Sequence, residues 1–118
     1  MSKSIDITSK KRPTIAVILP CKRRFFSRKQ RLDVYTPTKS TRELFTFLGE
    51  SLIKISNNSA TESDLDLLYD VTARILSRNK QGIELSANDL EVRLEIRDII
   101  AILKEYADFL TNEVESKN

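Results

Sequence analysis

The chain has 118 residues, 40% hydrophobic and 31% charged, with a formal net charge of +3, which suits one soluble core and excludes a disordered polymer. Two glycines, one cysteine and no histidine exclude an intrachain disulfide, a glycine-rich phosphate loop, every histidine-dependent triad and any ordinary zinc site. The longest apolar run, Ile15 to Leu19, falls far short of the roughly 20 residues that span a bilayer, and the start of the chain lacks the charged, apolar and small pattern of a secretory signal. A cytoplasmic, non-membrane protein is expected, in the host cytoplasm if the source is viral.

Charge is distributed unevenly along the chain. Residues 1–31 hold ten Lys and Arg against one acid, Asp6, a balance of +9; the remainder holds ten basic residues against sixteen acids, a balance of −6. Residues 1–12 have no period and read as a mobile arm. Thr14 to Leu19, closed in by Pro13 and Pro20, has the β-branched content of a short buried strand. Residues 31–36 alternate partially and stop at Pro37, so they can pair with it as a ribbon.

From Ser40 the helical signals strengthen. Ser40 and Glu43 have capping-box spacing, which opens a helix over about 41–56 with Leu44, Phe45, Leu48, Leu52 and Ile55 on one face and Glu50 and Lys54 as an exposed pair. Asn57, Asn58 and Ser59 end it. A second helix, about 63–80, starts near Thr61 or Ser63 with acids in its first turn. Leu65, Leu68, Val71, Thr72, Ile75 and Leu76 form its stripe, and Gly82 closes it. Ser86 with Asp89 is a further cap. A single long helix, about 88–114, follows, with Val92, Ile96, Ile99, Leu103, Tyr106 and Leu110 at steps of three and four. Ile100, Ala107 and Val114 flank that stripe on one side and Ile102 and Phe109 on the other, leaving Arg97, Ala101, Lys104 and Asp108 for water. The fold class is therefore mainly α: a three-helix body (41–56, 63–80, 88–114) in a 39–118 helical domain, preceded by a basic, β-prone or irregular segment, 1–38.

Nothing in the sequence announces a reaction, so no enzyme, cofactor or metal is expected. Glu91 and Glu95 share a helix face in this reading, but such a pair is ordinarily a solvated face. Cys21, beside three basic residues, has surroundings that lower a thiol pKa, although a small loop residue is the plainer assignment. The sharper feature is the basic and aromatic run Arg23, Arg24, Phe25, Phe26, Arg28, Lys29 and Arg31, which can neutralise phosphates while stacking on bases. Its plain counterpart is a pair of phenylalanines anchoring a solvated basic segment to the body. The apolar surplus of the helices, Phe47 and Ile53 included, either fills a three-helix core or marks a binding surface.

A β-prone front, medium helices and a long helix with an acidic tail (Asn112-Glu113-Val114-Glu115-Ser116) together resemble the small tail-assembly chaperones of long-tailed bacteriophages. The likeness is to the tape-measure-protein chaperone of lactococcal-type siphophages. Leu67-Leu68-Tyr69-Asp70-Val71 through Asn79, followed by Ser86-Ala87-Asn88-Asp89-Leu90, carries most of it, within residues 40–114. The resemblance implies a helical, self-associating, non-enzymatic protein that coats hydrophobic helices of a tape measure client until the tail tube forms. Here that surface is read as Phe45, Leu48, Leu52, Ile99, Ile102, Leu103, Tyr106 and Phe109. The basic front departs from the family and sustains the alternative, a small nucleic-acid-binding regulator.

Overall fold

A computed structural model describes residues 13–20 and 29–116, with the side chains of 113–116 outside that description. Helices dominate it, and one small sheet accompanies them. Strand β1, Thr14–Pro20, pairs antiparallel with β2, Lys29–Tyr35, in an unbroken register from Thr14 opposite Tyr35 to Pro20 opposite Lys29. The ribbon expected from the sequence is therefore present. Alternation sends Leu19, Leu32 and Val34 into the core and leaves Ala16 and Ile18 exposed, as strand geometry requires.

Helix α1, Lys39–Ser56, begins earlier than the Ser40–Glu43 spacing suggested, because Thr38, in extended conformation, supplies the capping oxygen to the Thr41 N–H. It ends on the expected Asn57, Asn58 and Ser59: Asn58 takes a left-handed φ of 57°, and the Ser59 N–H turns back to the Lys54 carbonyl at 2.8 Å. Helix α2, Glu62–Leu76, opens with a complete capping box of Thr61 and Asp64, which satisfies two otherwise orphaned donors. Leu68, Val71, Ile75 and Leu76 are all buried, and α2 is the element on which α1, β2 and the later helices pack.

Two expectations need correction. The second helix stops at Leu76, not near 80, because residues 78–81 leave the helix to pair with β2. The Tyr35 N–H donates to the Arg78 carbonyl and the Lys80 N–H to the Asp33 carbonyl, both at 2.8 Å. The 88–114 helix is two helices: α3, Ala87–Glu91, opened by a Ser86–Asp89 capping box, and α4, Ile96–Ser116. Leu90 and Ile99 are both fully buried, yet nine residues are two and a half helical turns, so one straight helix would aim them in opposite directions. The break at 92–95 lets both face the same core. Side chains satisfy its freed backbone: the Asp98 carboxylate accepts the Glu95 N–H at 2.9 Å and, from α2, the Tyr69 hydroxyl donates to the Leu94 carbonyl at 2.8 Å. Beyond the break α4 behaves as read, with Ile99, Leu103 and Tyr106 buried and Arg97, Ala101, Lys104 and Asp108 exposed.

Polar groups shape the segment after α2 and fasten the hairpin to it. Asn79, buried, donates from Nδ2 to the carbonyls of Leu76 and Ile83, both at 2.7 Å, and accepts the Ile83 N–H on Oδ1 at 2.9 Å. Gln81 accepts the Asp33 N–H at 2.8 Å and donates to the Asp33 carboxylate at 2.6 Å. That second bond, helped by Arg31 and Lys80 nearby, holds the Asp33 carboxyl below the usual range. The Tyr106 hydroxyl reaches from α4 to the Tyr35 carbonyl at 2.9 Å. Among the described residues no buried side-chain nitrogen or oxygen lacks a partner.

Candidate functional site

The eight apolar residues read from the sequence as a binding surface divide into two groups. Leu48, Ile99, Leu103 and Tyr106 are buried, at most 2% exposed, within a single copy. Their contact area belongs to this chain's own core. Phe45, Leu52, Ile102 and Phe109 pack against that core and retain partial exposure. These four are the ones with surface to offer.

The helical period explains the division. On α1, Phe45 and Leu52 are seven residues apart, two turns along one flank, with Leu48 between them turned inward. Gly49 lies on the same flank, exposed, and a methyl group added there would meet nothing within 4 Å. On α4, Ile102 and Phe109 repeat the seven-residue step. Tyr106 joins the two flanks: the Phe45 ring meets it edge-on at 5.9 Å and the Phe109 ring at 6.0 Å. Aromatic contacts of this geometry contribute about 0.5–1.5 kcal/mol beyond burial. The result is a seam between α1 and α4 whose floor is Tyr106 and whose rims are apolar. Burial of Tyr106 raises the pKa of its phenol, so the floor is neutral throughout the physiological range.

Elsewhere on the surface lie apolar side chains that the fold does not cover. Phe47 is 70% exposed and Ile53 61% exposed on the outer surface of α1; Val92 projects from the corner between α3 and α4, and Ile18 from β1. Phe47 and Ile53 belong to the surplus that the sequence displays. Their helical angles, well away from Leu48, are the signal that singles them out.

Other sequence candidates are resolved in different ways. Glu91 and Glu95 do not share a helix face, since Glu91 ends α3 and Glu95 precedes α4, where it lies 2.8 Å from Arg97. Lys54 lies 3.6 Å from Asp64 across the α1–α2 turn. Asp64 also accepts from the Thr61 N–H at 2.8 Å and from Ser51 at 3.3 Å, and the Thr61 bonds chiefly keep its pKa low. No group of three or more metal-capable side chains occurs among the described residues. Of the basic and aromatic run, Lys29 and Arg31 lie exposed on β2, with Arg31 3.2 Å from Asp33. Arg23, Arg24, Phe25, Phe26 and Arg28, together with Cys21 and the 1–12 arm, lie outside the described residues. Among the described residues no helix is long and apolar enough to cross a membrane.

The class these observations define is a mainly helical protein with a hairpin docked on its central helix. No protein-family model, curated protein or solved structure matches the chain.

Proposed function

We propose that this chain is a non-enzymatic helix-holding protein, acting as a tail-assembly chaperone for the hydrophobic helices of a phage tape measure protein and associating with itself. The observation that carries this reading is the α1–α4 seam: two apolar rims at seven-residue spacing, half-covered, over a buried aromatic floor. An amphipathic helix presents side chains at the same spacing and can lay them along such rims. Gly49 permits close approach of its backbone. Binding protects the client by mass action until assembly removes it. Such a role uses grooves and polar exteriors and no catalytic group.

The test is calorimetric titration with an amphipathic tape-measure helix, alongside sedimentation of the protein alone. Saturable binding that Phe109→Glu or Ile102→Glu reduces at least about tenfold, a loss of about 1.4 kcal/mol, with urea midpoints confirming that the variants fold, supports the proposal. Leu52→Lys, on the opposite rim, gives the same loss from the other wall. Absence of helix binding, with an oligonucleotide instead binding at micromolar strength and weakening steeply with salt, would replace it by the nucleic-acid regulator.

A further inference from the structure

The outer edge of β1 is a second surface, built from backbone. Asp33 and Tyr35 aim their backbone groups at residues 78–81, so by the alternation of an extended chain Gln30, Leu32 and Val34 aim theirs at β1. The register sets these opposite Leu19, Val17 and Ile15. The backbone groups of Thr14, Ala16 and Ile18 therefore point away from β2. Among the described residues no strand pairs with that edge. Proteins ordinarily blunt such an edge with a charge, a bulge or an interior proline. β1 has none of these: its sequence is uncharged, its only proline is the last residue, and its register is unbroken. Ile18, 60% exposed, adds an apolar side chain beside the open hydrogen-bonding positions.

Charge decides what pairs there. On the same face of the ribbon, Arg31 stands opposite Ile18 and Lys29 opposite Pro20, both exposed, while Asp33, opposite Ala16, is engaged by Arg31 at 3.2 Å and by Gln81. The sequence is basic on both sides of β1, with Lys10, Lys11 and Arg12 before it and Lys22, Arg23 and Arg24 after it. A second copy of β1 comes with the same basic surroundings, so self-pairing meets repulsion, the device by which flanking charges protect an apolar strand from its own kind. An acidic neighbour meets attraction.

We infer that the free edge of β1 is a strand-addition site for an extended segment of another protein, apolar over about five residues and bracketed by Asp or Glu. The backbone of Thr14, Ala16 and Ile18 supplies the pairing, Ile18 grips an apolar side chain, and Lys29, with Arg31 beside it, attracts the acidic residue at the Pro20 end of the segment. This site lies on the hairpin and makes no use of the α1–α4 seam, so it stands or falls separately from the helix-holding role.

The test uses the full chain and two labelled peptides with the same alternating Val/Thr core, one bracketed by Glu and one by Lys. Anisotropy is expected to give a dissociation constant on the order of 10 µM for the acidic peptide, at least about tenfold weaker for the basic one, with the difference shrinking as salt rises. Binding should slow amide exchange at Ala16 and Ile18 while leaving Val17, already paired with β2, unchanged. Ala16→Pro, which removes an outward N–H and no bond to β2, should cost at least about tenfold, and Ile18→Ser several-fold. The exchange measurement on the unaltered chain decides the matter if Ala16→Pro fails to fold. Equal affinity for both peptides, no binding at about 1 mM, unchanged exchange at Ala16 and Ile18 on binding, or a homodimer that Ala16→Pro abolishes would each overturn the inference.

Discussion

The junction between β2 and the end of α2 and the attachment of α1 are two ways of holding a piece of this chain in place. At the junction, partners lie 42 and 48 positions apart in sequence and meet through side chain and backbone: the Arg78 guanidinium donates to the Thr36 carbonyl at 3.3 Å and the Asp33 N–H to the Gln81 amide oxygen at 2.8 Å. Helix α1 is held by Leu48, Ser51 and its apolar flanks, and its polar ties to α2 are local, Ser51 to Asp64 at 3.3 Å and Lys54 to Asp64 at 3.6 Å. Directional bonds admit fewer geometries than packed apolar faces, which tolerate adjustment. The difference assigns rigidity to the hairpin junction and adaptability to α1, the side on which the seam opens.

Asn79→Ala is the substitution with which to break this comparison. It leaves two carbonyls and one N–H without their partner, and each unsatisfied buried group costs about 1–3 kcal/mol. A loss of about 3 kcal/mol is expected in urea denaturation, and Asn79→Asp should also destabilise because a carboxylate cannot donate to Leu76 and Ile83. A loss below about 1 kcal/mol would show that the junction is not the rigid part. Tyr106→Phe is next, at about 1–1.5 kcal/mol for the bond to Tyr35. Because burial raises the folded-state pKa of Tyr106 above the ordinary tyrosine value of 10.0, its contribution is complete below pH 10 and is lost as pH climbs toward the folded value. Alkaline unfolding followed by tyrosinate absorbance should be shallower in the phenylalanine variant.

Smaller effects sharpen the other half. Gly49→Ala, on an exposed turn of α1 with free space around it, should stabilise by about 0.5–1 kcal/mol by lowering the entropy of the unfolded chain, read as a higher urea midpoint. At the acid end, Asp33, Asp64 and Asp89 all have depressed folded pKa values, with Ser86 the chief cause at Asp89. Their contribution is present above the ordinary aspartate value of 3.8 and is lost as pH falls below it, so stability should decline there. Asp64→Asn and Asp89→Asn should each flatten that decline.

Much of the architecture is readable from residue order. Pro13 and Pro20 bracket β1, Ser86 with Asp89 announces one helix start by spacing, and the acids after Thr61 mark another to within two residues. Other features depend on contacts that no local window contains. Asn79 looks like an ordinary helix-ending residue until β2 arrives beside it. The break before α4 is hidden because Val92 continues the three-four rhythm of Ile96 and Ile99, although it is half-exposed; the half-turn offset between Leu90 and Ile99 was the available signal. Hydropathy located the faces carrying Leu48, Leu103 and Tyr106 but could not say that the same chain would cover them. Only the flanks, Phe45, Leu52, Ile102 and Phe109, remain partly open.

The grip between Tyr35 and Arg78 has a further consequence for chain connectivity. Everything from Thr36 to Ser77, including the whole of α1 and the Asn58 turn, is a loop tied at its base by β2 and the segment after α2. A protease cut between Asn58 and Ser59 would sever the covalent path and leave that clasp intact, so the two fragments should travel together through a sizing column and separate only in denaturant.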